Sequence, residues 1–272
     1  MSAADPESGQ AGVPGQLGES HGRGPLVRRE VVSFTRRDGR FSHRNSAAWE
    51  PRLAHYFVEP ERAERSTSIA PTWHFDAEST FGRRAPLIVE IGSGTGDAVL
   101  AHAQAHPECD HLAVEVYRPG VARTVVQADA RGLENVRVLE ADGRALLAHT
   151  LTAESVAELH IWFPDPWPKA RHHKRRLIDS GLLTDAARVL TPGGVLRAAT
   201  DWADYADQIA AVAADAEAFE PGGPAPTDAP VGVSGAQRYG AAPRFEVRPI
   251  TRFESKGRAL GRDIADFALR RR

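Results

Sequence analysis

Short apolar runs recur along this chain, and between them apolar positions fall at helical spacing. Leu87-Ile88-Val89-Glu90-Ile91 predicts a buried strand, and 97–105 the helix after it. Further apolar runs at 112–116, 136–139, 159–163 and 194–199 predict four more strands. Helical patterns at 121–131, 177–189 and 205–218 separate or follow them. Strands that alternate with helices imply parallel pairing through crossovers, hence an α/β fold with a doubly wound sheet. No internal repeat interrupts the pattern.

The pattern is absent at two places. Residues 1–24 hold six glycines, no aromatic residue, and only Met1, Val13 and Leu17 as larger apolar side chains. Such a segment buries too little surface to offset its ordering entropy, which predicts a disordered tail before a domain at 25–272. Residues 221–244 contain five prolines and five glycines. That stretch reads as a linker or as a surface loop, and the 28 residues after it are too few for a domain of their own.

Composition narrows the class. With 34 Lys+Arg against 36 Asp+Glu, the net charge of −2 argues against indiscriminate nucleic-acid binding and leaves a local basic patch open. No run reaches the roughly 20 apolar residues of a membrane helix, and the N-terminus carries no signal-peptide core. The single cysteine, Cys109, excludes an internal disulfide and a cysteine-built metal site, so no metal is expected. A reducing cytoplasmic setting is the default, although an exported bacterial protein can also lack disulfides.

The first strand runs into Glu90-Ile91-Gly92-Ser93-Gly94-Thr95-Gly96-Asp97. Gly92, Gly94 and Gly96 allow a sharp turn and close approach of a ligand to the main chain. The spacing differs from a triphosphate loop, which needs a lysine, and from the G-x-G-x-x-G of dinucleotide sites. Glu90 and Asp97 flank the loop; carboxylates there repel a pyrophosphate and attract a cation, which favours a cationic nucleoside such as S-adenosylmethionine. Glu115 ends the second strand, 19 residues beyond Gly96, where a carboxylate can accept from both ribose hydroxyls. Asp142, after the third strand, is placed to meet the adenine amino group.

After the fourth strand comes Trp162-Phe163-Pro164-Asp165-Pro166-Trp167-Pro168-Lys169-Ala170-Arg171-His172-His173-Lys174-Arg175-Arg176. The prolines fix φ and stop both strand and helix, holding Asp165 and Trp167 on a stiff shelf. Trp167 suits base stacking, and Asp165 suits acceptance from a base's Watson–Crick edge. Five fixed cations in eight residues, from Lys169 to Arg176, complete a nucleic-acid pattern; a solvated face would explain the charges alone.

This segment resembles the F-P-D-P-W-x-K-x-R-H-x-K-R-R signature of the tRNA (guanine-N7)-methyltransferases. The resemblance extends over residues 32–269 through Ser33-Phe34-Thr35-Arg36-Arg37-Asp38-Gly39-Arg40, Ala199-Thr200-Asp201-Trp202-Ala203-Asp204-Tyr205-Ala206 and Thr251-Arg252-Phe253-Glu254. It implies a mostly parallel seven-stranded, Rossmann-like class I methyltransferase fold. It further implies S-adenosylmethionine held by Glu90, Glu115, Asp142 and Asp165, and a tRNA substrate contacted by Lys169, Asp201, Thr251, Arg252, Phe253 and Glu254. The implied target is guanosine 46 of the variable loop. Where the family has R-G and G-H, this chain has Lys256-Gly257 and Gly261-Arg262.

Guanine N7 carries a lone pair and no proton, so the reaction needs alignment rather than a general base. A carboxylate, Asp165 or Asp201, would stabilise the positive charge arriving on the purine. Three other readings stand beside this one: a methyltransferase with a different substrate, an RNA-binding protein without catalysis, and a nicotinamide-dependent dehydrogenase. The loop spacing disfavours the last.

Overall fold

The computed structural model describes residues 50–63 and 67–272; the expectations for 1–24 and 33–40 lie outside the described residues. The strands are β1 (Leu87–Ile91), β2 (Asp110–Glu115), β3 (Val136–Glu140), β4 (Val156–Trp162), β5 (Leu190–Thr200), β6 (Phe219–Pro221) and β7 (Ala265–Arg271). The helices are α1 (Ala77–Phe81), α2 (Asp97–Ala105), α3 (Arg118–Ala130), α4 (Gly143–Ala145, continued by a π turn, Leu146–Thr150), α5 (Ser180–Val189), α6 (Ala203–Ala214) and α7 (Arg252–Ala259). All seven strands form one sheet in the order β3-β2-β1-β4-β5-β7-β6. β7 runs antiparallel to both neighbours, and the other pairs are parallel.

Every residue of β1 is buried, as a parallel strand covered on both faces requires. Leu87, Val89 and Ile91 join Leu112, Leu159, Ile161 and Leu196 in a core capped by α5 and α6. α5 buries Leu182, Leu183, Ala186 and Val189 on one stripe, and its N-cap Asp179 accepts from Leu182 N at 2.8 Å. On the opposite face, α2 and α3 pack Val99, Leu100, Val121 and Val125 against Ala113, Val136 and Val138.

Two differences from the sequence pattern have physical causes. β7 carries Asp266, Arg270 and Arg271, so it does not read as an apolar run, yet its first five residues are buried. The buried Asp266 is tolerated because Arg248 binds it with two hydrogen bonds. The fourth strand ends at Trp162 rather than Phe163, whose φ of 51° leaves the ladder. Pro221 ends β6, and the rest of the 221–244 stretch is an irregular connection that packs back on α6, where buried Arg238 bonds Asp207 at 2.8 Å.

Strand order reverses between β1 and β4, and in open doubly wound sheets ligands bind at the carboxyl ends of the strands at such a reversal.

Candidate active site

The glycine loop leaves β1 through two hydrogen bonds to Val114 O, from Gly92 N at 2.8 Å and Ser93 N at 3.2 Å. Gly92, Gly94 and Gly96 all have φ between 58° and 81°, the left-handed region that L side chains disfavour. Their surroundings differ. A Cβ on Gly92 or Gly94 would meet nothing within 4 Å, so these two border open space. One on Gly96 would strike the Thr124 side chain at 2.6 Å, because α3 packs directly there. The Ser93 hydroxyl in this loop is buried without a hydrogen-bond partner.

Glu115 ties the end of β2 to the loop. Its Oε2 accepts from Gly94 N at 2.7 Å, and its Oε1 from Val116 N at 2.7 Å and Tyr117 N at 2.8 Å. Burial raises its pKa, the three backbone donors oppose that rise, and Asp165 adds to it. Asp165 of the proline-rich shelf therefore acts electrostatically on the β2 end. Glu90 is 2% exposed, and its Oε2 accepts from Trp162 Nε1 at 3.2 Å. Burial drives its pKa up to about 8, helped by Asp97 and Glu115, while Trp162 and Arg248 pull the other way. Asp142 caps α4 by accepting from Arg144 N at 3.0 Å.

Past β4 the backbone is strained at two bulky residues, Phe163 (φ 51°) and Trp167 (φ 45°). Asp165 lies between them and is exposed. The Arg175 guanidinium covers the Trp167 ring at 3.6 Å from its centroid, so this face already carries a planar cation. Lys169, Arg171 and Lys174 are exposed on the 3₁₀ turn Ala170–Arg175 or beside it. Arg176 is drawn inward instead. At 2% exposure it binds Pro166 O, Gln208 Oε1 and Asp204 and lies over the Tyr205 ring, so it is a strut rather than a phosphate hook.

Asp201, beyond β5, accepts from Arg262 Nη1 at 2.7 Å, and Arg262 also stacks over Trp202. A Cβ on Gly257 would lie 2.8 Å from Asp201 Cβ, which explains glycine at that helix position. Thr251 caps α7 by accepting from Glu254 N at 3.2 Å, while the Glu254 carboxylate turns inward instead of closing a capping box. Arg252 and Phe253 are exposed. Glu254 is fully buried and held by Arg244, Arg248 and Arg258. A direct contact between its carboxylate and a base would require these arginines to release it. None of the three was singled out in the sequence, where they fall in a segment without periodicity.

The sheet face carrying Glu90 holds a second polar group, through its register partner His160. His160 and Arg197 both hold Glu158 Oε2 at 2.9 Å, and His102 Nδ1 meets His111 Nε2 at 2.8 Å. Burial lowers the His102 and His111 pKa values to about 4 and 3, leaving both rings neutral. His102, Glu158 and His160 offer donor atoms within 4.8 Å of one another. The Arg197 guanidinium on Glu158 opposes a divalent cation there.

Known proteins resemble this chain over most of its length. Residues 84–267 match the family model described as "Putative methyltransferase". The tRNA (guanine-N(7)-)-methyltransferase of Paenarthrobacter aurescens is 42% identical over 89% of this chain and 91% of its own. The Nocardioides sp. enzyme of the same name is 43% identical over 90% and 88%, and that of Nitrosomonas eutropha 40% over 87% and 95%. With identity at this level over most of both chains, the chain belongs to the tRNA (guanine-N7)-methyltransferase family.

Proposed function

We propose that the chain binds S-adenosylmethionine at the carboxyl edge of β1, β2 and β3 and methylates N7 of guanosine 46 in the variable loop of tRNA. The carrying observation is the gathering of Glu90, Glu115 and Asp165 around a loop whose Gly92 and Gly94 border open space. Four carboxylates, counting Asp97, suit a ligand with an ammonium and a sulfonium, and the unpartnered Ser93 hydroxyl offers one more hydrogen bond. When bound, that cofactor supplies an electrophilic methyl carbon.

The residues divide by position. Gly92, Gly94 and Gly96 shape the cradle, Glu115 and Asp142 hold the nucleoside, and Glu90 faces the cationic end. Asp165 is the catalytic group in the electrostatic sense: it holds the guanine edge and stabilises charge arriving on the ring. No proton is taken from N7. Asp201, matched by Arg262, fixes the substrate side. Lys169, Arg171 and Lys174 meet phosphates; Thr251, Arg252 and Phe253 border the base. Among the described residues no helix is long and apolar enough to cross a membrane, and a tRNA substrate places the work in the cytoplasm.

The test is mass-spectrometric mapping of the methylated nucleotide after reaction with unmodified tRNA. N7-methylguanosine at position 46 is the expected product. Methylation elsewhere, or none with cofactor bound, would overturn the reading.

A further inference from the structure

Arg248 stands at the junction of two networks that the functional assignment treats separately. It is 1% exposed. Its Nη1 and Nη2 donate to the two carboxylate oxygens of Asp266 on β7 at 2.6 and 3.2 Å, and its Nε donates to Glu254 on α7 at 3.3 Å. Its own carbonyl accepts from Arg244 Nη2 at 2.6 Å, and Arg244 also grips Glu254. The flat face of the guanidinium lies 4.8 Å from the Trp162 ring and 5.3 Å from that of Phe163. Trp162 in turn donates to Glu90. One side chain thus touches the helix bearing the substrate-side motif, the strand beside β5, and the aromatic pair where the proline-rich shelf begins.

A buried guanidinium with three anionic bonds and two stacked rings has a single geometry available, unlike an ammonium on a flexible stem. We propose that Arg248 is a positioning residue that locks α7 and the Trp162–Glu90 pair into one arrangement, so that the methyl-donor side and the guanine side of the site keep a fixed separation. This rests on the donor-side assignment of Glu90 made above. In-line transfer makes such alignment consequential, because misplacement by about 1 Å can cost about a hundredfold in rate.

Arg248 also acts on Glu90 through charge. Glu90 faces Asp97 from α2, Glu115 from β2, Trp162 and its register neighbour His160 on β4, and Arg248 from the segment before α7. Arg248 is the cation in that set that favours the ionised carboxylate.

The experiment uses the full chain, with S-adenosylmethionine affinity measured by calorimetry from pH 6 to 9 and turnover on unmodified tRNA. In Arg248→Met, turnover is expected to fall about tenfold to a hundredfold, and the pH midpoint of cofactor binding to move up. Arg248→Lys is expected to restore the midpoint without restoring turnover, since it returns charge but not the fork. A purely structural role would lower the melting temperature and leave the midpoint in place. Folded Arg248→Met with turnover within about twofold of the parent, or with an unmoved midpoint, overturns the proposal. Should Arg248→Met not fold, Asp266→Asn loosens the fork while keeping the arginine's charge. Turnover should then fall with no rise in the midpoint, and parental turnover in that folded variant is equally fatal. Glu90→Gln separates this proposal from the one beneath it. Unchanged cofactor affinity there removes the donor-side assignment; lost affinity there, with parental behaviour in Arg248→Met, removes the Arg248 role alone.

Discussion

Trp162 and Glu90 meet across adjacent parallel strands, the indole N–H of β4 donating to a carboxylate oxygen of β1 at 3.2 Å inside the sheet. That pairing leaves a buried acid with one neutral donor and two neighbouring carboxylates, Asp97 and Glu115, so the acid holds its proton up to about pH 8.

The sign of the resulting pH dependence follows. Between pH 4.5 and about 8 the folded chain binds one proton at Glu90 that the unfolded chain has lost. Its contribution to stability is therefore greatest below 4.5 and declines as pH rises to about 8, by at most about 1.4 kcal/mol per pH unit. Glu90→Gln should remove this slope from melting curves. It should also weaken S-adenosylmethionine binding by about tenfold or more, because the cationic end loses its carboxylate. Wild-type affinity should rise with pH towards 8. A flat profile in the parent protein would contradict the assignment.

Glu115 is more than a ribose acceptor. Three backbone N–H groups converge on it, from Gly94, Val116 and Tyr117. Glu115→Ala is therefore expected to cost about 1–3 kcal/mol of stability in addition to cofactor affinity, since buried donors lose their acceptor. Denaturant unfolding alongside calorimetry separates the two losses. Unchanged stability would show that the loop holds its shape alone.

How much of this was legible in the chain depends on whether a residue's role is carried by its own run or by distant neighbours. β1 is five buried residues in a row and declares itself; β7 hides an aspartate whose partner, Arg248, is 18 residues away. The glycine loop, Glu90 and Glu115 are readable because strand, turn and acid recur at fixed places in a doubly wound sheet. Arg176 and Glu254 were not. Each sits in a motif suggestive of surface contact, yet tertiary packing turns the first onto Asp204 and the second onto three arginines. Charge runs announce polarity, not direction.

Gly120 illustrates a constraint visible only in three dimensions. A Cβ at this position of α3 would lie 2.1 Å from Gly94 O, so at this point helix and loop meet backbone against backbone. Gly120→Ala must push the loop outward. We expect a cost of about 1–3 kcal/mol and a clear loss of S-adenosylmethionine affinity, with tRNA binding retained in the absence of cofactor. Parallel calorimetry and RNA-binding titrations check this, and parental cofactor affinity would contradict the close approach.

The basic run divides into two kinds of cation, and the division is measurable. Lys169, Arg171 and Lys174 are exposed, so each phosphate they neutralise releases counterions and steepens the fall of tRNA affinity with salt. Removing Arg171 and Lys174 should flatten the log–log slope by about 0.7–0.9 per lost contact, with melting temperature and cofactor affinity nearly unchanged. Arg176 is expected to behave in the opposite way. Its side chain is 1% exposed and bound to Pro166, Gln208 and Asp204, so Arg176→Ala removes an internal strut rather than a phosphate contact. The expected cost is about 1–3 kcal/mol of stability, because Pro166 and Gln208 lose their donor while Asp204 stays solvated. The salt slope, measured below the melting transition, should stay parental. The Asp204 carboxyl, held below its usual pKa chiefly by its hydrogen bond from Arg176, should titrate nearer the ordinary range in that variant. A flattened slope in Arg176→Ala with full stability would mean that this arginine leaves the interior to meet RNA, and the strut assignment would fall.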